Sequence, residues 1–212
     1  LDNMPWASSL VGVFTMGKCT CTGYAKAYQY LLQLTGINCA VVSGKATTPQ
    51  GRRSHAWVIQ ECDGSYYYTD PTWGDCFDGN NKEYISHSYF CLSESEIEKT
   101  HTINHKEILP KCTANKDNYF VKNNLLFSSY NRADIKKALK SCVENGKYYA
   151  ELKFTNKSAY IDANNELFKQ GQIYYILSVM SLKNKNIGVK NIKYSNNDNL
   201  CIITIFFDKT NN

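Results

Sequence analysis

The chain has 212 residues, 43% of them hydrophobic and 20% charged, a balance that fits one folded domain or two small ones and excludes a disordered chain. No apolar run approaches the roughly 18 residues that a membrane-spanning helix needs. The net charge of +5, from 24 Lys and Arg against 19 Asp and Glu, is spread along the chain; it lacks the concentrated basic arm of a nucleic-acid binder, and no nucleic-acid partner is expected.

The chain opens Leu1-Asp2-Asn3, with neither an initiator Met nor a signal segment, and reads as a processed or trimmed form. Residues 21–35 carry small and apolar side chains on nearly every side and meet Gly36, a helix stop, so a buried helix is expected. Residues 38–44 are Val-rich, residues 54–61 alternate polar and apolar, and residues 66–69 continue in β-favouring types; all three read as strands, the last two joined by an Asp63-Gly64 hairpin turn. Between Pro71 and Pro110 mostly loop is expected, with a short helix over 94–99 and His87, His101 and His105 on the surface. Residues 131–145 repeat Ile135, Ala138, Leu139, Cys142 and Val143 at three- and four-residue spacing, an amphipathic helix capped by Asn131 and stopped by Gly146. A strand over 147–155, a helix over 158–169, a buried helix or strand over 173–182 and two last strands flanking residues 195–199 complete a small α+β unit, with helices on an antiparallel sheet. Composition shifts from Trp, Cys and Gly to Lys, Asn and Tyr near Pro110, dividing the chain into residues 1–112 and 113–212. Nine cysteines, an odd number without a repeating framework, leave at least one thiol free unless it pairs between chains.

Three short motifs carry chemistry: Gly17-Lys18-Cys19-Thr20-Cys21-Thr22-Gly23-Tyr24-Ala25, then Ser54-His55-Ala56-Trp57, then Thr69-Asp70-Pro71-Thr72-Trp73. A cysteine attacks a carbonyl as its thiolate, and a helix N-terminus favours that charge, which is where Cys21 stands. Gly23, two residues on, is expected to leave room above the helix entrance for a substrate backbone. The thiol needs a proton acceptor, and the acceptor needs a group that fixes its tautomer. With a two-residue Asp63-Gly64 turn, Cys62 faces Ser65, and residues 55, 57, 70 and 72 fall on one face, so His55 and Asp70 become diagonal neighbours that one hydrogen bond can join. The helix bearing Cys21 is expected to pack on that same face.

The order Cys, His, Asp in these settings resembles the transglutaminase-like superfamily in its bacterial form, over residues from about Ser8 to Gly74, with Ser8, Ser9 and Gly12 similar to the family's lead-in. The resemblance implies a papain-like α+β core, a nucleophile helix packed on an antiparallel sheet, followed here by the small C-terminal α+β unit. It implies acyl transfer through a thioester, with Cys21 as nucleophile, His55 as general base and then acid, and Asp70 orienting His55. The family often has Gly or Ala where Cys19 stands, but the helix-start position and the Gly-Tyr-Ala continuation favour Cys21. The backbone N–H of Cys21 would supply one oxyanion donor. Protein or peptide substrates follow, by transglutaminase, deamidase, peptidase or peptide-cyclising chemistry, and location outside the cytoplasm is expected because many relatives are exported.

Other readings compete with this one. A metal site could draw on Cys19, Cys21, Cys39 or Cys62 with His55, but the usual ligand spacings are missing. No residue cluster points to a cofactor, and no acidic loop offers a calcium site. A non-catalytic peptide- or glycan-binding module would keep the fold and typically lose a member of the triad, whereas all three residues are present. A cell-surface scaffold role, with attachment through the C-terminal unit, is compatible with catalysis. Trp57 and Trp73 flank the site, as channel wall or as core.

Overall fold

The computed structural model describes residues 4–77, 83–181 and 187–209. These form two compact units, the first running to Tyr119 and the second starting at Phe120. Residues beyond Pro110 stay with the first unit because Cys112 is buried, its carbonyl accepts the Glu94 N–H, and Asn118 donates to the carbonyls of Phe90 and Cys91.

The first unit opens with a short 3₁₀ turn over Pro5–Ser8 and the helix α1, Leu10–Phe14. Helix α2, Cys21–Leu34, follows, and Gly36 at φ +78° ends it in the left-handed conformation that glycine adopts freely. Then come β1, Cys39–Thr48, β2, Gly51–Cys62, and β3, Ser65–Thr69. Asp63 and Gly64 both take positive φ, as a type I′ hairpin turn requires, and the register pairs Cys62 with Ser65 and Val58 with Thr69, as the turn predicts.

Past Pro71 the chain is less loop-like than its composition predicts. It holds a two-stranded ribbon of β4, Asp75–Phe77, and β5, Glu83–Ile85, then the helix α3, Glu94–Ile97, inside the expected span, and β6, His101–Ile103. β6 pairs with the far side of β1, matching Gly44 to Ile103 and Ala46 to His101, so the sheet runs β3-β2-β1-β6, antiparallel throughout.

Helix α2 buries one stripe and not its whole surface. Cys21, Ala25, Tyr28 and Leu32, spaced four, three and four apart, pack on Ala56 and Val58 of β2 and Cys39 and Val41 of β1, while Tyr30, Leu31 and Leu34 are exposed. The opposite face of the sheet holds Val42, Trp57 and Ile59, all buried. There Gly44 admits the Trp57 ring: a Cβ at that position would lie 2.7 Å from Trp57 Cη2 and 2.0 Å from the Thr102 carbonyl oxygen on β6. Gly44→Ala is therefore expected to destabilise the protein by about 2–3 kcal/mol, because a backbone neighbour must move. Thermal unfolding of the purified variant checks this, and an unchanged midpoint would refute the close packing of β6.

Helix α4, Tyr119–Lys122, and the two-residue strand β7, Leu126–Phe127, lead into the rest of the chain. Helix α5, Arg132–Glu144, begins where Asn131 accepts the backbone N–H groups of Ala133 and Asp134, and it buries Ile135, Ala138, Leu139 and Cys142. Strand β8, Tyr149–Phe154, helix α6, Lys157–Asn164, with a π-type turn to Lys169, and helix α7, Gln172–Ser181, follow. The ambiguous apolar run is a helix, because Ile173, Ile176, Leu177 and Met180 form one buried stripe with a 3.6-residue period. The strands β9, Ile187–Asn197, and β10, Ile202–Lys209, complete a sheet of order β7-β8-β10-β9. Only β7 departs from the expected antiparallel pattern, pairing parallel to β8. Helices α5 and α6 pack on β8, and α7 packs on β9. No helix among the described residues is long and apolar enough to cross a membrane.

Candidate active site

The approach to α2 is built by the lead-in residues. A Cβ on Gly12 would meet the carbonyls of Trp6 and Lys18 at 2.8 and 3.0 Å, so glycine there lets the chain fold back on itself. Thr20, the residue that caps α2, turns its hydroxyl toward Ser8 Oγ and the Ala7 carbonyl, at 3.0 and 3.3 Å, and makes no side-chain cap. The first-turn amides that begin with Cys21 therefore keep their positive end open beside the thiol. Gly23 serves the lead-in and not a substrate path: a Cβ there would lie 2.5 Å from the Ala7 carbonyl oxygen and 2.7 Å from Cys19 Cβ.

The expected face for α2 is also corrected. The helix lies on the side of Ala56 and Val58, while strand alternation sends His55 and Trp57 to the other side. Cys21 meets His55 at the border of the sheet. Strand β3 stops at Thr69, opposite Val58, so Ala56 and His55 have no partner from it. The His55 ring and the Ala56 backbone N–H both act on the Cys21 thiol there.

His55 Nε2 donates to Asp70 Oδ2 at 2.7 Å, which leaves Nδ1 as the ring nitrogen for the sulfur. Asp70 is 1% exposed. Its Oδ1 accepts the backbone N–H groups of Thr72 and Trp73 at 3.0 and 3.3 Å, a turn that the intervening Pro71 favours. Its Oδ2 accepts a second imidazole, His101 Nε2, at 3.2 Å.

His101 is thus no surface residue. It is 2% exposed and sits on β6 against Trp57, Trp73 and Tyr89, with ring centroids 4.8, 4.6 and 5.6 Å away. Its signal in the sequence is a three-residue strand, too short for any periodicity to register. His105 is exposed, as expected, while His87 stacks on Tyr119 at 3.6 Å. Trp57 is fully buried core, whereas Trp73 is half-buried 5.6 Å from the His55 ring.

Electrostatics separate the two neighbouring cysteines. The Cys21 thiol is pulled below its usual value, chiefly by the His55 ring against the opposing effect of burial, with help from the Ala56 N–H. Burial and the Asp75 carboxylate push the Cys19 thiol up. Burial opposes the charged form of His55, but the hydrogen bonds and charges of Asp70 and Cys21 prevail and raise it to about 9. Asp70, despite a burial that opposes its charge, is held below the ordinary carboxylate range by His101 and His55.

All nine cysteines are free thiols. Among the described residues the metal-ligand types that gather are His55, Asp70 and His101, with ligand atoms within 4.8 Å of one another; none of the cysteines joins them. The separations of 2.7 and 3.2 Å are those of N–H···O bonds to one carboxylate oxygen.

Residues 2–71 match the family model described as Transglutaminase-like superfamily. The matched segment contains Cys21, His55 and Asp70 and agrees with the family that the three motifs resemble, one of cysteine-based acyl transfer or proteolysis; His101 lies outside it. A comparison with curated proteins finds no match.

Proposed function

We propose, starting from a chain whose residues 2–71 match the transglutaminase-like superfamily, that this protein is a cysteine-dependent acyl transferase or amide hydrolase acting on protein or peptide substrates. Cys21 is the nucleophile, His55 the base and then the acid, and Asp70 the group that orients His55. The observation that carries this reading is the succession Cys21, His55, Asp70, in which His55 is hydrogen-bonded to Asp70 while the neighbouring thiol is lowered and the imidazole raised. The thiol gives its proton to His55, and the sulfur attacks as a thiolate.

The thiolate adds to an amide carbonyl, and the oxyanion that forms accepts the backbone N–H of Cys21 at the open end of α2. His55 gives its proton to the leaving amine as the C–N bond breaks, and a thioester remains. An amine or water then attacks the thioester, His55 takes the attacker's proton, and the Cys21 thiolate leaves. Which acceptor wins depends on how well the cleft keeps water from the thioester.

The test is alkylation by iodoacetamide across pH 5 to 8, with peptide mapping, on wild type and His55→Ala. At pH 6 an ordinary thiol is under about 1% thiolate, so Cys21 is expected to react about 10- to 100-fold faster than the other thiols, less whatever a lower thiol pKa costs in nucleophilicity. His55→Ala should erase the advantage. Labelling at an ordinary rate, or labelling of Cys19 first, would remove this assignment.

A further inference from the structure

The reading above gives Asp70 one partner to orient, yet the same oxygen carries a second imidazole. We propose that His101 is a positioning residue of this site, fixing the Asp70 oxygen on which His55 is held. The inference rests on the proposed function and concerns a residue outside the matched segment.

A carboxylate offers about four lone-pair sites. Asp70 fills them with the N–H groups of Thr72 and Trp73 on Oδ1 and those of His55 and His101 on Oδ2. Two backbone donors and one imidazole would leave Oδ2 half-satisfied, free for a proton or for rotation away from His55. The bond from His101 closes that position.

His101 is itself oriented for the task. Its Nδ1 lies 2.9 Å from Thr100 Oγ1, whose other neighbour, the Ile97 carbonyl oxygen, is 3.4 Å away. The single hydroxyl proton goes to the nearer acceptor, so Nδ1 accepts and Nε2 carries the hydrogen, as an acceptor-only carboxylate demands. The rings of Trp57, Trp73 and Tyr89 surround the imidazole and hold its plane. The titratable groups acting on Asp70 are His101 from β6 and His55 from β2, with Cys21 of α2 acting in turn on His55.

A residue that merely filled the core would leave the acid–base behaviour of the site unchanged when replaced by a ring of similar size. A positioning residue would not, because Asp70 without its fourth donor takes a proton at higher pH and then no longer supports the His55 imidazolium. The experiment measures the alkylation rate of Cys21 by iodoacetamide from pH 3 to 8 in the full chain, for wild type, His101→Phe, His101→Gln and His101→Asn. His101→Phe is expected to move the acid limb set by Asp70 up by about one pH unit, making alkylation up to about tenfold slower at the acid end of the profile. His101→Gln, whose amide reaches the Nε2 position, should restore most of the rate, and the shorter His101→Asn should not.

With a peptide substrate, kcat falls in His101→Phe while KM holds. If His101→Phe does not fold, the contrast between Gln and Asn decides. Profiles that superpose on wild type, or equal behaviour of Gln and Asn, would overturn the role of His101 while leaving an activated Cys21 intact. An unactivated Cys21 in wild type would instead overturn the proposed function, and this inference with it.

Discussion

Replacing Cys21 by alanine is expected to lower acyl transfer by a factor on the order of 10⁴ or more, with folding stability within about 1 kcal/mol of wild type. The separation of the two effects follows from position. The sulfur of Cys21 is half-buried at the rim of the α2 stripe, and the packing of that stripe rests on Ala25, Tyr28 and Leu32 against β1 and β2. The assay is a glutaminyl peptide with hydroxylamine as acceptor, read as hydroxamate release and as the mass of the acyl-enzyme. Cys19 serves as the internal control. It stands two residues away with its thiol raised and not lowered, so turnover that survives in Cys21→Ala would assign the chemistry to Cys19.

Asp70→Asn is expected to lower kcat by about 10⁴-fold and stability by about 1–3 kcal/mol. The amide has one acceptor oxygen where the carboxylate has two. If its nitrogen faces the imidazoles, two donors meet two donors, and His55 must move its proton to Nδ1, toward the sulfur, where it can no longer take the thiol proton. If the nitrogen faces the turn, the N–H groups of Thr72 and Trp73 lose their acceptor.

The stability gap between wild type and Asp70→Asn also depends on pH in a signed way. Asp70 is lowered from 3.8, so its contribution is present above that value and is lost as pH falls through the lower native one. His55 is raised from 6.5 to about 9, so its contribution is full below 6.5 and is lost as pH rises through about 9. The gap is therefore widest between about pH 4 and pH 6.5 and narrows on both sides. Denaturant titrations at pH 3, 5.5 and 9.5 measure it, and a gap that does not vary with pH would refute the charged His55–Asp70 pair.

Local chemistry made part of this site legible. Helix α2, its stop at Gly36, the Asp63-Gly64 turn and the approach of His55 to Asp70 all depend on residues a few positions apart, or on a register that one turn dictates. What escaped the sequence depends on distant contacts. Strand β6 is three residues long and finds its partner β1 more than fifty residues upstream, so neither alternation nor a turn motif announces it, and His101 passed for a surface residue. The face on which α2 lies is hidden from the sequence for a related reason. The hairpin register says which side chains share a face, but the small residues Ala25, Ala56 and Val58 decide which face a helix can approach. Gly23 shows the same limit, since only the chain folded back from Ala7 explains it.

The edge position of β6 bears on when the site comes into being as the chain folds. Helix α2 and the β1–β2–β3 meander close over short stretches of sequence and are favoured to form early, whereas docking His101 beside Asp70 requires the closure of a much longer loop. During synthesis Cys21 and His55 leave the ribosome well before residues 101–103. On the proposed role of His101, the thiol therefore acquires its full reactivity only once β6 has docked on β1.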